Sequence, residues 1–251
     1  MKEIIAIVNR RGGVGKTATA HAVGAGLAKR GYKTLFIDLD SQCNLTFDLG
    51  VSNVPLSSME VLSGTASAKE AIQHSKGGDI IPASPSLAVS DTTIDGTGKE
   101  YRLKEALEPL EDEYDYIIID TPPALGVLTV NALTACHSAI IPAQAEVHSL
   151  QGIALLNEAI TAVRKYTNHG LKIKGILITR YNGRSTLSKD MKANLEAVAE
   201  ALRTTVFPTP IRECTALKEA QALQMDIYTH APRSNATADY TALIDAIEEG
   251  R

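Results

Sequence analysis

The segment Asn9-Arg10-Arg11-Gly12-Gly13-Val14-Gly15-Lys16-Thr17 follows a short run of Ile, Ala and Val and precedes a stretch of Ala, His and Gly suited to a helix. Glycines at 12, 13 and 15 let successive backbone N–H groups converge on one anion, and a helix opening beside them adds the partial positive charge of its N-terminus. Lys16 would then reach the β and γ phosphates of a nucleotide, and the Thr17 hydroxyl would be offered to Mg²⁺. The usual loop of this kind has glycine where this chain has Arg10, so the loop is a variant. The bland alternative is a glycine-rich turn without a ligand; strand, Gly-Gly-x-Gly-Lys-Thr and helix in succession argue against it.

Carboxylates at strand ends supply the other half of the chemistry. The apolar run Tyr116-Ile117-Ile118-Ile119 ends in Asp120, which a parallel sheet would place at its carboxyl edge, able to hold Mg²⁺ through water. Thr121-Pro122-Pro123 cannot begin an ordinary helix, which weakens the alternative that Asp120 is only a cap. Asp38 and Asp40 leave another apolar run together, two residues apart and so on one side. A negative pair near a triphosphate makes sense with Mg²⁺ or an attacking water between them, although either acid could also cap a loop.

The elements that must position these groups read as βα units. Strands are expected at Ile4–Val8, Thr34–Ile37, Asp79–Ile81, Tyr116–Ile119, His137–Ile141, Ile173–Thr179 and Thr205–Phe207. Helices are expected at Thr17–Arg30, Tyr101–Leu110, Leu128–Ala135, Ser149–Tyr166, Ser188–Leu202, Ala216–Leu223 and Ala236–Glu248. Most of the strands are apolar on successive residues, so both faces should carry helices. The pattern implies an α/β fold: one doubly wound, mostly parallel sheet in a single domain over residues 1–251. Ser84–Lys99 reads as a surface loop with short turns.

Composition narrows the class. Aromatics are 4% with no Trp, so the core should be aliphatic. Apolar stretches are interrupted within about eight residues, well short of the ~20 a bilayer span needs. The chain opens into Lys2-Glu3-Ile4-Ile5 without a signal-peptide pattern, and a cytoplasmic, membrane-free location is expected. Cys43, Cys136 and Cys214 are scattered, which gives no disulfide framework or thiolate metal site. The net charge of -4 conceals a basic segment: Arg164 to Lys218 carries eleven Lys and Arg against four Asp and Glu. Such polarity suits a polyanionic partner, or else a set of solvated helix faces.

The loop resembles that of the ParA/MinD group of P-loop ATPases, whose deviant form reads Lys-Gly-Gly-x-Gly-Lys-Thr, with Arg11 here in place of the first lysine. Asp38-Leu39-Asp40-Ser41-Gln42-Cys43-Asn44 is similar to the family's Asp-x-Asp-Pro-Gln-Gly-Asn, with Ser41 and Cys43 departing from Pro and Gly. Tyr114 to Pro123 resembles its Walker B strand, and Ile211 to Pro232 aligns weakly with its Ile-Pro-Arg-Asn-x-Arg-Leu segment. The resemblance implies ATP and Mg²⁺ as cofactors and a nucleotide site of Arg11, Gly12, Gly13, Val14, Gly15, Lys16, Thr17 and Ala18. Thr17, Asp38 and Asp120 would serve the metal. Asp40 would orient the attacking water, Lys16 and Arg11 would supply positive charge, and Arg11 would act across an ATP-dependent homodimer.

By the same resemblance the protein is a slow ATPase that binds duplex DNA nonspecifically, works with a ParB-like centromere-binding protein and moves a plasmid, chromosome or mobile element. It would associate with the nucleoid when ATP-bound. Arg184 matches a family DNA-facing Arg, whereas a second falls on Ala216 and the family's Pro on Arg212. Lys189, Lys192, Arg203, Arg212 and Lys218 could compensate, since phosphate contacts need charge more than geometry. The chain starts at its first strand, so no N-terminal DNA-reading extension is expected. A MinD-like membrane-surface switch is the second reading, opposed by the acidic tail Tyr240–Glu249. A P-loop carboxylate ligase is the third, since fold alone does not separate it. An iron–sulfur relative finds no evident cysteine pair.

Overall fold

In the computed structural model the described residues are 1–184 and 186–250, the side chains of 147, 148 and 186–189 excepted. Seven strands form one sheet: β1 (Glu3–Ile7), β2 (Thr34–Asp38), β3 (Gln73–Ser75), β4 (Gly78–Ile81), β5 (Tyr116–Asp120), β6 (Ser138–Gln144) and β7 (Lys172–Thr179). Their order is β3-β4-β2-β5-β1-β6-β7, parallel except for the β3–β4 hairpin. The helices of eight residues or more are α1 (Lys16–Lys29), α2 (Val127–Ala135), α3 (Val147–Tyr166), α4 (Thr186–Ala201), α5 (Thr215–Ala222) and α6 (Asn235–Glu249).

The sheet separates two apolar clusters, one on each face. Ile4, Ala6 and Val8 point into one, Ile5 and Ile7 into the other, and every residue of β2, β5 and β6 is buried. Successive apolar residues are therefore needed, as expected for a parallel sheet covered on both sides. α1 lies close against the sheet and α6; a Cβ on Gly24 would collide with the Phe36 ring, so only glycine permits that approach.

Register decides where the chemistry gathers. Ile7 and Asp38 both pair with Asp120, and Gln144 pairs with Thr179. The carboxyl ends of β2, β5 and β1 thus lie level, while β6 and β7 run four residues further because Ile7 pairs with Ile140 rather than with Gln144. β1 sits between β5 and β6, where successive connections turn in opposite directions, the place at which open α/β sheets leave a crevice.

Some elements differ from expectation. Thr205–Phe207 is not a strand: Val206 makes only an isolated bridge to Ile176, because Pro208 and Pro210 cannot donate to a ladder. The helix expected over Tyr101–Leu110 is broken into Lys99–Tyr101, Arg102–Leu107 and Glu108–Leu110, the last containing Pro109. β3 is polar and so gave no apolar signal. The helical turns Ser58–Ser63 and Ala68–Ala71 do announce themselves, through capping boxes Ser57/Glu60 and Ser67/Glu70.

Burial of His21 in α1, edge-on to Phe36, leaves its Nε2 without a hydrogen-bond partner among the described residues and pushes its pKa down to about 4. The unfolded chain, with an ordinary imidazole near 6.5, binds the extra proton first, so His21 destabilises the fold progressively as pH falls from about 6.5 to 4, by up to about 3 kcal/mol. Burial raises Asp38 and Asp48 to about 6, with the opposite sign in the same window. A His21→Met variant isolates the histidine: its midpoint denaturant concentration should fall less between pH 7 and pH 5 than the parent's. Parallel pH profiles would overturn this.

Candidate functional site

The loop between β1 and α1 leaves the N–H groups at its helix end without a side-chain cap. Gly15, at the N-cap of α1, has φ 88°, a left-handed conformation natural to glycine; it makes no side-chain cap, and the first turn holds no acidic residue. The orphan N–H groups of the helix start are therefore available to an anion. Side chains from two strand ends brace the loop from beneath. Gln144 Nε2 donates to the Gly13 carbonyl at 3.0 Å, and Thr179 Oγ1 to that of Val14 at 2.8 Å. Asn9 completes the support, donating to the Pro142 carbonyl at 2.6 Å and accepting from the Arg11 N–H at 2.9 Å.

A cleft of about 360 Å³ opens above the loop, lined by Gly12, Gly13, Gly15, Lys16, Thr17 and Ala18 on one side and by residues 211–221 on the other. Val14, expected in the site, is buried beneath it. Lys16 is also largely buried, and its Nζ donates to the Arg11 carbonyl at 3.1 Å. Burial lowers its pKa, while Asp120 and Asp40 pull it back up.

Thr17 Oγ1 donates to Asp120 Oδ2 at 2.6 Å. Asp120 is fully buried and its Oδ1 has no hydrogen-bond partner among the described residues. Burial, and next the neighbouring Asp38, raises its pKa well above the carboxylate range, while the Thr17 hydroxyl and Lys16 pull it down. An unsatisfied carboxylate oxygen beside a hydroxyl fits Mg²⁺, which takes one or two protein oxygens together with water and substrate phosphate. No group of three or more His, Cys, Asp or Glu among the described residues is placed to hold a metal by itself.

Asp38 is occupied differently from the expected metal role. Its Oδ1 accepts from the Asp40 N–H at 3.0 Å, and its Oδ2 from the N–H and hydroxyl of Thr46 at 2.9 and 2.8 Å. It thereby orders the segment from Asp40 through the helical turn Asn44–Asp48. Asp40 lines the cleft, accepting from the Gln42 N–H at 3.0 Å. Cys43 has φ 53°, a region that costs a non-glycine residue about 1–2 kcal/mol, which accounts for glycine as the simpler choice there.

Arg11 turns away from the cleft. Its guanidinium meets Glu146 at 2.6 Å and lines a surface groove with Arg10, Leu125, Gln151 and Leu155. Of the cations grouped as DNA-facing, Arg212 and Lys218 instead line the cleft. Arg212 is bound to Asp239, and Lys192 lies 4.0 Å from Glu196 on α4. Arg184 and Arg203 are exposed; Lys189, by its side chain, lies outside the described residues. Gln144 and Thr179 escaped the sequence reading, although each is a polar residue ending an apolar strand, as Asp120 is.

A phosphate-type loop joining the first strand to the first helix, beside acidic strand ends of a doubly wound sheet, defines the P-loop NTPase class. An AAA domain family model matches residues 2–173. The sporulation initiation inhibitor protein Soj of Bacillus subtilis is 38% identical over 248 residues, 97% of each chain. Among solved structures, cobyrinic acid a,c-diamide synthase of Mycobacterium smegmatis with bound ADP and magnesium superposes with TM-score 0.87 at 34% identity, covering 100% of this chain and 97% of that one. Apo McdA of Cyanothece gives 0.89 at 26% identity, covering 98% and 100%. The chain belongs to the ParA/MinD/Soj family of deviant Walker-A P-loop ATPases. No helix among the described residues is long and apolar enough to cross a membrane.

Proposed function

We propose that the protein binds ATP with Mg²⁺ in this cleft, dimerises in doing so, hydrolyses ATP slowly, and in the dimer holds duplex DNA without sequence preference. Its cargo would be a plasmid, chromosome or mobile element, with a ParB-like DNA-binding protein as partner. The observation that carries the reading is the uncapped start of α1 at Gly15, with Lys16 and the Thr17–Asp120 pair beside it. Relatives named as chromosome-partitioning ATPases, such as Soj of Thermus thermophilus at 37% identity, support the cellular role.

In this reading Gly12 to Ala18 cradle the phosphates through backbone N–H groups, and Lys16 neutralises their outer oxygens. Thr17 and Asp120 hold the metal, which when bound offsets charge on the phosphate oxygens. Asp40 accepts a hydrogen bond from the attacking water and aligns it. Asp38 keeps Asp40 in place through its N–H rather than touching substrate. Phosphoryl transfer asks little covalent work of a protein, so alignment and positive charge are enough.

Arg11 is assigned to act across the dimer. Its pair with Glu146 is partly exposed, and such pairs hold by at most about 1 kcal/mol, so it is readily exchanged for a phosphate. Arg11→Ala should retain monomeric ATP binding but lose nucleotide-dependent dimerisation, with hydrolysis down by about a thousandfold or more. Arg11→Lys should keep or raise the rate. Gel filtration and turnover assays check this; an alanine variant that dimerises and hydrolyses normally reduces Arg11 to a surface charge.

The experiment for the DNA role is salt-dependent binding to random-sequence duplex with ATP. Each neutralised phosphate adds roughly 0.9 to the slope of log affinity against log salt. Arg184→Ala and Lys192→Ala should each flatten that slope while ATP binding stays unchanged. With Ala216 lacking a charge and Arg212 drawn to Asp239, the affinity should be modest. An ATP-bound dimer that shifts no DNA at low salt overturns this part. The likeness to the Mycobacterium smegmatis synthase favours a second reading, activation of a small carboxylic acid, which predicts ATP turnover dependent on such an acid and indifferent to DNA.

A further inference from the structure

The wall of the cleft facing the phosphate loop is residues 211–222, an extended segment running into α5, and a buried carboxylate from a different element grips each end. At its start the Arg212 N–H donates to Asp239 Oδ2 at 2.9 Å, Nε to both Asp239 oxygens at 3.0 and 3.1 Å, and Nη2 to Oδ1 at 2.6 Å. At its end Gln221 Nε2 donates to Asp48 Oδ2 at 2.8 Å. Asp239 and Asp48 are each 3% exposed.

The two anchors lead to different places. Asp239 belongs to α6, which packs along α1. Asp48 closes the helical turn Asn44–Asp48, whose Thr46 is held by Asp38, the residue that also fixes the Asp40 N–H. The phosphate side of the cleft is braced directly from strand ends by Gln144 and Thr179. The opposite wall meets the sheet through backbone bonds at Ile211, which accepts from Tyr181 and donates to Ile178. Beyond Ile211 the wall is further held by the Glu213 N–H on the Tyr181 carbonyl at 3.4 Å and by packing of Leu217 and Ala220 on the apolar cluster, and the two buried carboxylates add a side-chain grip at each end. A fork-to-carboxylate contact fixes orientation as well as distance; Asp239 is buried while the Arg212 side chain is half exposed, so it is the acid that depends on the contact.

We infer that Asp48 and Asp239 are positioning residues that clamp this wall at both ends, setting how long a nucleotide remains in the cleft and coupling closure of the wall to the alignment of Asp40. The inference rests on the nucleotide-binding reading above. Neither acid touches substrate. Opening the wall is the route of nucleotide exit, and loosening either clamp speeds it.

The test is stopped-flow release of a fluorescent N-methylanthraniloyl-ADP from the full chain, with turnover measured at saturating ATP. Gln221→Ala, which loses one hydrogen bond to a charged group, should release the probe about tenfold faster, and Arg212→Leu, which loses three side-chain contacts to Asp239 but keeps the backbone one, at least as much faster. Asp48→Ala should match Gln221→Ala, and the Asp48→Ala/Gln221→Ala double variant should be no faster than either single. Asp48→Asn keeps an oxygen that can accept from Gln221 and should restore near-parent release. Turnover should fall in Gln221→Ala, since Asp40 loses its link to the wall. Folded Gln221→Ala and Arg212→Leu proteins that release the probe within about twofold of the parent overturn the clamp, as does an Asp48→Asn protein as fast as Asp48→Ala. A parent that binds the probe while its variants are unaltered sinks only the clamp; a parent that binds none sinks the nucleotide reading and the clamp with it.

Discussion

A Lys16→Ala protein is expected to fold normally and to lose ATP binding by at least about a hundredfold, together with ATP-dependent dimerisation. Lys16 is the buried cation of the cleft, placed by the first turn of α1 with its Nζ on the Arg11 carbonyl. Asp120 and Asp40 act on it, so without the ammonium the outer phosphates would meet these carboxylates uncompensated at the loop. The fold does not depend on it: burial lowers the Lys16 pKa, which means that its charge is desolvated at a cost, and alanine favours the helix. Titration calorimetry on the folded variant is the measurement. Unchanged ATP affinity would remove the phosphate-loop assignment altogether.

Hydrolysis, by contrast, should be separable from binding at Asp40. Asp40→Ala is expected to bind ATP with affinity near the parent's, accumulate as an ATP-bound dimer and turn over about 10²–10⁴ times more slowly. One Asp40 oxygen accepts from the Gln42 N–H, and the residue lies where the cleft meets a second cavity of about 300 Å³ lined also by Pro122, Pro123 and Asp91. Turnover at the parent rate would move the role elsewhere, with Asp38 the first alternative. Both Asp38 oxygens already hold Asp40 and Thr46, so an Asp38→Ala variant should disturb the turn Asn44–Asp48 as well as the rate.

The parts of the site readable before folding are those whose signal is local. The spacing of Gly12, Gly13 and Gly15 specifies a backbone path, and Lys16 and Thr17 follow within the same turn. Asp120 and Asp38 were legible because each ends an apolar run, and a parallel sheet brings such ends to one edge. Continuous apolar strands also announced two covered faces, and hence the doubly wound class. Local signals failed where local and tertiary demands diverge. Thr205–Phe207 has strand composition, but two following prolines stop the ladder; β3 is polar and exists because β4 pairs with it.

Which side chains meet was decided only in three dimensions. Gln144 and Thr179 are 131 and 165 residues from the carbonyls they support, and Gln221 is 173 from Asp48. The packing of α6 against α1 puts Asp239 beside Arg212, which lines the cleft wall. Arg11 lies within the loop in sequence, and its guanidinium points outward to Glu146, 135 residues away. Spacing along a chain encodes dihedral preference and the period of burial, and these suffice for strands, helix starts and a glycine loop. Partners brought together by strand order and register leave no periodic trace in either participant, so their identity appears only when the sheet has closed and the helices have packed.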